Sequence, residues 1–320
     1  MLVAEKDIKR DLRKWTNSFK NSDKYKILSE NTKKIYLSVE KSLFVFINER
    51  KDIKSIKDIK TDIIYDFISF REKTSKNKEI KQKTKKLYIF ALKMLFDYIT
   101  HKNSEHYTYQ NEFDDIQIGK GKKPETPLYF KEDEVKRILV YLETLVENEK
   151  HYSYIWSIAF KLMLHSGLRA SEVLSLRLED IELSDEVIPG TKTRDTYIVT
   201  LYDTKSGVTQ HTLIPVVHIE NELRYFKKTI SYDDYICKGE NTSLPISRQS
   251  LFTKAKTILR KCEIGKRKQG LHIYRHTAAM RLYRKKKDIL TVKKLLRHAN
   301  IQTTMIYANA DNSDLAAAMR

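Results

Sequence analysis

Leu271-His272-Ile273-Tyr274-Arg275-His276-Thr277 is the stretch on which the reading of this chain turns. Set on a helix, His272 and Arg275 stand three apart and share a face, so a guanidinium can hold a phosphate while an imidazole moves a proton. His272 and His276, four apart, also have the spacing of a zinc pair. The positions between them carry no Glu and no obvious third ligand follows, so phosphate is the preferred ligand. The surroundings agree. From Lys254 to Lys294 fifteen basic residues meet only Glu263 and Asp288, a net charge of +13 around the stretch. Such a stripe fits a polyanion and implies steeply salt-dependent binding.

The whole chain has the same bias. Its 320 residues hold 61 Lys and Arg against 42 Asp and Glu, a net charge of +19. That length predicts about two domains. Cys237 and Cys262 are the only cysteines, which excludes a disulfide-stapled secreted fold and points to a reducing, cytoplasmic setting. No signal-peptide core opens the sequence. The most apolar stretch, Ile155 to Leu164, is short and interrupted by Lys161, well below the ~20 residues that span a bilayer.

Only 8 Gly and 5 Pro punctuate the chain, so helices should dominate. Apolar residues at helical spacing predict helices over Asn31–Arg50 (Ile35, Tyr36, Val39, Leu43, Phe46, Ile47) and Ile80–Ile99 (Ile80, Leu87, Tyr88, Ala91, Leu95). Lys6–Phe19 and Thr61–Lys73 complete a four-helix front domain over residues 1–110. Between Arg71 and Lys93 nine basic residues face only Glu72 and Glu79, beside Tyr, Thr and Gln, which predicts contact with DNA. A linker over 111–128, rich in Gly, Pro and Lys, separates this from a domain over 129–320. There the pattern predicts helices over Glu132–Glu149 and Tyr152–His165. Strands over Asp180–Leu183, Thr196–Tyr202 and Thr209–Val217 follow, with a turn at Lys205-Ser206-Gly207. Helices resume over Ser247–Cys262, Leu271–Lys287, Leu290–Arg297 and Gln302–Asn309. The fold class is mainly α with a small antiparallel β-sheet.

Two further clusters carry chemistry-bearing residues. In Gly167-Leu168-Arg169-Ala170-Ser171-Glu172-Val173-Leu174 an Arg opens a helix directly after a Gly turn, and Glu172 can brace it. Taken alone this is a capped surface salt bridge. The other is Leu295-Leu296-Arg297-His298 followed by Thr303-Thr304-Met305-Ile306-Tyr307, and alone it says little in a chain with 19 tyrosines. Together the clusters supply what phosphoryl transfer without a metal requires. Arginines neutralise the phosphorane's charge, an acid protonates the leaving oxygen, a base takes the nucleophile's proton, and a tyrosine attacks.

The order and spacing of these residues resemble the tyrosine recombinase, or phage integrase, family. Its pattern of Arg, Lys, His-x-x-Arg, His and Tyr is matched by Arg169, Lys205, His272, Arg275, His298 and Tyr307. The flanking text matches as well: Ser-Gly-Leu-Arg-x-x-Glu-x-Leu, Arg-His-Thr-Ala, and Leu-x-x-His before Thr-Thr-x-x-Tyr. The likeness is strong from about Phe130 to Ala310; the front domain shares only its helical, basic character and an Asn31-Thr32-x-x-x-Tyr36 opening.

The resemblance implies a helical core-binding domain followed by an α+β catalytic domain. It implies a site-specific recombinase in which Tyr307 forms a 3′-phosphotyrosyl bond and frees a 5′-hydroxyl. Arg169 and Arg275 would clamp the phosphate, Lys205 would protonate the leaving oxygen, His272 would accept the tyrosine proton, and His298 would bond a phosphate oxygen. Glu172 would orient the site. Because the phosphotyrosine conserves the bond energy, neither ATP nor a metal cofactor is expected. The partners implied are a double-stranded DNA site, a homo-tetramer joined through the tail after Tyr307, and an accessory protein, with no membrane. Two positions depart from the family's habit: Arg297 replaces a common Gly, and Tyr274 a common Leu. Lys192 rivals Lys205 as the lysine, but a strand-like stretch precedes Lys205 and a return strand follows it.

A Xer-like enzyme resolving chromosome dimers is favoured over a mobile-element integrase, since no additional N-terminal arm-binding domain is apparent. A type IB topoisomerase, a non-catalytic DNA-binding protein and an RNA-binding helical protein are the competing classes; no aromatic-rich sheet motif of the RNA-recognition type supports the last.

Overall fold

The computed structural model describes residues 8–74, 80–102, 116, 127–185, 195–202, 208–265 and 270–311. The chain divides into two compact units, Met1–Lys123 and Pro124–Arg320. The stretch expected to link two domains lies outside the described residues except for Ile116, Pro127 and Leu128.

In the first unit the described helices are α1 (Ile8–Asn21), a single turn α2 (Asp23–Lys26), α3 (Glu30–Glu49), α4 (Thr61–Thr74) and α5 (Gln82–Lys102). The four long ones are those that the apolar spacing predicts. Ser29 starts α3 by accepting the N–H of Thr32 at 3.3 Å. A 3₁₀ turn at Ile56–Asp58 sets the entry to α4; there Asp58 accepts the Ser55 N–H at 2.7 Å in a capping box. Leu12, Leu43, Ile64, Phe67, Phe96 and Ile99 form the core. Of the predicted basic stretch, Lys73 on α4, Lys81 just before α5, and Lys83 and Lys86 on α5 are exposed.

The second unit is built around α7 (His151–His165), which is buried on nearly all sides. It packs against α6 (Glu132–Val146), α9 (Glu220–Thr229) and α11 (His272–Lys286). Tyr274 of α11 is fully buried between Phe130 and Phe160, with ring centroids 5.1 and 4.8 Å away. Lys161, which breaks the apolar run of α7, reaches Glu222 of α9 at 2.8 Å, and Ser157 donates to the same carboxylate oxygen. Three antiparallel strands in the order β1-β2-β3 form the sheet: β1 Ile181–Leu183, β2 Thr196–Tyr202 and β3 Thr209–Pro215. The register pairs Tyr197 with Leu183 on one side and with Ile214 on the other. The remaining helices are α8 (Ala170–Ser175), α10 (Arg248–Lys261), α12 (Ile289–Leu296) and the short α13 (Met305–Ala308).

Two elements differ from the sequence expectation. Helix α9 was not predicted, because only Leu223, Phe226 and the ion-paired Glu222 of its ten residues are buried. The single helix expected over Gln302–Asn309 is instead a 3₁₀ turn, Ile301–Thr303, and α13, separated at the fully buried Thr304.

Candidate active site

The site begins where α7 ends. Gly167 adopts φ +64°, a backbone region that a Cβ makes costly, and a Cβ there would also meet Leu296 Cδ2 at 3.2 Å. This close approach brings the end of α12 against the start of α8. The Gly167 carbonyl then accepts a hydrogen bond from Arg275 Nη1 at 2.6 Å, and the Leu296 carbonyl accepts one from Arg275 Nη2 at 2.5 Å. Arg275 thus ties three chain segments together from α11, at 4 % exposure.

Arg169 is the N-cap residue of α8, and Glu172 closes a capping box by accepting the Arg169 N–H at 2.6 Å. The other oxygen of Glu172 accepts from Arg169 Nη1. Arg297 Nη2 donates to Glu172 Oε2 at 2.7 Å, and Arg275 Nη1 lies 3.7 Å from that oxygen. One carboxylate therefore gathers three guanidiniums. Burial alone pushes the Glu172 carboxyl up, but Arg297 and Arg169 outweigh it and hold the group below its ordinary value. Burial, with Arg169 adding repulsion, lowers Arg275 to about 10.

The imidazoles are all driven towards the neutral form. Burial first, then Arg248 and Arg275, lowers His272. Burial followed by His272 and Arg275 takes His276 to about 4. For His298 burial and then Arg275 and Arg169 give the same value, about 4. Its Nδ1 shares a 2.9 Å hydrogen bond with Thr304 Oγ1, so the break between the last two helical turns orients the ring. Tyr307, on α13, is 1 % exposed and packs with Ala279, Met280, Val292 and Leu296. Its hydroxyl shares a 2.8 Å hydrogen bond with Nδ1 of His276, and burial pushes it up to about 12 against the opposing influence of Arg275.

Of the six residues singled out by the sequence, Arg169 and Arg275 meet at Glu172, while His272 shares α11 with Arg275. His298 follows α12, and Tyr307 reaches back to α11 through His276. Lys205 and its rival Lys192 lie outside the described residues. The register carries the β2–β3 pairing to Tyr202 and Thr209.

Sequence reasoning gave no role to His276 or Arg297. A signal existed for each: His276 stands in the matching Arg-His-Thr text, one helical turn from His272, and Arg297 is a departure from the family's habit. Among the described residues no group of three or more His, Cys, Asp or Glu side chains is placed to hold a metal ion.

A model of the phage integrase family matches residues 129–314. The chain is similar to the tyrosine recombinase XerH of Campylobacter jejuni, at 26 % identity over 320 residues, covering 95 % of this chain and 84 % of that protein. It is also similar to transposase A from transposon Tn554 of Staphylococcus aureus, at 26 % identity over 317 residues, covering 90 % of this chain and 84 % of the transposase. Among solved structures, the XerH site-specific recombinase bound to palindromic difH substrate, in a post-cleavage complex, matches with a TM-score of 0.72. The match is at 20 % identity and covers 89 % of this chain and 78 % of that one.

Proposed function

The chain belongs to the phage integrase family and is a tyrosine-type site-specific recombinase; from that premise we propose how its residues divide the reaction. Tyr307 attacks the scissile phosphate, forms a 3′-phosphotyrosyl bond and releases a 5′-hydroxyl. Arg169 and Arg275 hold the non-bridging oxygens and offset the charge that grows on the phosphorane. Lys205 gives a proton to the leaving 5′-oxygen, and His272 takes the proton of Tyr307. His298, oriented by Thr304, bonds a phosphate oxygen. Attack by the freed 5′-hydroxyl of a second duplex reverses these steps and reseals the strand, so the energy of the broken bond is kept in the phosphotyrosine.

The observation that carries this division is that α11 connects both halves of the chemistry. It bears Arg275, which shares Glu172 with Arg169, and His276, which holds the hydroxyl of Tyr307. A tyrosine that is 1 % exposed cannot meet a duplex phosphate as it stands. On this reading the four-residue α13, which carries Tyr307, has to shift for the hydroxyl to reach the phosphate.

DNA is the partner that the net charge of +19 and the basic stretches fit. A chromosomal role, resolving joined chromosomes in the cytoplasm as a tetramer on two duplexes, is the reading favoured by the match to XerH over nearly the full chain. The comparable match to a Tn554 transposase supports mobile-element recombination as the second reading. The test uses nicked duplexes tiled across the DNA flanking the gene, without added metal, and a denaturing gel. An adduct with the wild type that Tyr307→Phe lacks is the expected result. DNA binding without any adduct would overturn the assignment. Direct repeats that recombine only at a chromosomal site, or only at the ends of a mobile segment, separate the two biological roles.

A further inference from the structure

Arg297 occupies a backbone position that suits it poorly. It follows α12 with φ +54° and ψ +41°, the left-handed region that glycine adopts most easily. Its side chain is 4 % exposed, and burial lowers its basicity. A residue placed there only to end a helix would be small. This one instead spans to Glu172 Oε2 at 2.7 Å and to the Leu295 carbonyl at 2.8 Å.

The consequence lies in what Glu172 would otherwise do. Among the described residues it is the one carboxylate within 4 Å of Arg169, Arg275 or Arg297. With Arg297 on Oε2, Arg275 remains 3.7 Å away and gives two of its five N–H donors to the Gly167 and Leu296 carbonyls. With Arg297 removed, a buried anion loses one of its partners and is drawn to the next buried cation, which is Arg275. A carboxylate paired directly with Arg275 would compete with the phosphate for it.

Resting on the recombinase assignment, we propose that Arg297 is a positioning residue: it satisfies Glu172 so that the carboxylate braces Arg169 without capturing Arg275, which leaves both arginines for the phosphate. Among the described residues, three arginines against one carboxylate, with the neighbouring imidazoles neutral, leave two positive charges in surplus. That surplus matches the two negative charges of a phosphorane.

The test compares wild type, Arg297→Gly, Arg297→Lys, Glu172→Gln and Arg297→Gly/Glu172→Gln for the rate of covalent adduct formation at saturating nicked duplex. DNA affinity and thermal stability are measured alongside. Glycine fits the left-handed backbone and Arg169 still pairs with Glu172, so Arg297→Gly should fold with a lowered melting temperature while its cleavage rate falls about 10- to 100-fold at nearly unchanged affinity. Lysine, which keeps the charge, should restore part of the rate. The decisive readout is the double variant, because neutralising the unbalanced carboxylate should make it no slower than Arg297→Gly alone. Penalties that multiply, or an Arg297→Gly rate equal to that of the wild type, would overturn the proposal. If Arg297→Gly unfolds, the lysine variant and the Glu172→Gln pair with it carry the same comparison. Absence of an adduct from the wild type would instead overturn the recombinase mechanism, and this proposal with it.

Discussion

His165, at the end of α7, offers a sharp test of how this unit is held together. Its ring stacks on His218 with centroids 3.7 Å apart and planes at 12°. Burial, then His218, Arg281 and Lys161, lowers it to about 3. A histidine in the unfolded chain titrates near 6.5. The unfolded state therefore binds a proton that the folded state refuses, and stability falls as the pH drops below about 6.5, continuing down to the folded value. Integrated from about pH 7 to about pH 5, one such group removes at most about 1.9 kcal/mol. Since the ring keeps some solvent contact, about 1 kcal/mol is the working figure. The perturbation is His165→Leu, which removes the titration and keeps an apolar side chain in place. Urea unfolding would be followed by Trp156 fluorescence at both pH values, in a Trp15→Phe background so that only the second unit reports. The variant should lose about 1 kcal/mol less than the parent on acidification. An equal loss in the two proteins would refute the claim that His165 is held neutral by its surroundings.

Other perturbations follow from the same geometry. Lys161→Met should destabilise the second unit by about 3–5 kcal/mol in urea unfolding, because Glu222, 1 % exposed, would be left as a buried charge; adding Glu222→Leu should recover much of the loss, and a mild single-variant effect would argue against the pairing. Gly167→Ala should cost about 1–3 kcal/mol and slow cleavage as well, since strain at φ +64° displaces the carbonyl that holds Arg275; loss of stability with normal cleavage would separate the two roles. His272→Ala should slow adduct formation by about 10²–10⁴-fold, and His276→Ala by less than about 10-fold. The reverse order would make His276, the residue already bonded to Tyr307, the proton acceptor.

Much of this was legible in the sequence because the decisive residues are polar and regularly spaced. Arg169, His272, Arg275, His298 and Tyr307 are singled out by order and flanking text, and the long helices by apolar periodicity. The three strands were found within a residue or two. What stayed hidden was information carried by contacts. In α9 two apolar residues make too weak a stripe, and its anchor is an ion pair from Glu222 to a lysine 61 positions earlier. Arg297 reads as a packing substitution until its partner, 125 positions away, is seen. His276 is one basic residue among many until α13 folds back to place Tyr307 against it.

The electrostatics of the site argue for a division of labour that side-chain order alone does not reveal. Guanidiniums keep their charge at any working pH, whereas imidazoles lose theirs when buried beside them. Here His276 and His298 are both taken to about 4 by burial and by cations around them. Among the described residues, the site's positive charge at neutral pH is therefore carried by arginine, and its imidazoles are available to accept or share protons. A phosphate entering the site reverses part of the balance: its anionic charge offsets the arginines and raises the affinity of the same imidazoles for a proton. On the proposed mechanism the acceptor is His272, itself lowered by burial and then by Arg248 and Arg275, so its ability to take a proton would grow with the arrival of the phosphate. In the unbound protein a hydroxyl pushed up to about 12 and imidazoles pushed down to about 4 keep the nucleophile protonated. On the proposed division of roles, neutral imidazoles and permanent arginines would couple activation of the tyrosine to occupation by phosphate.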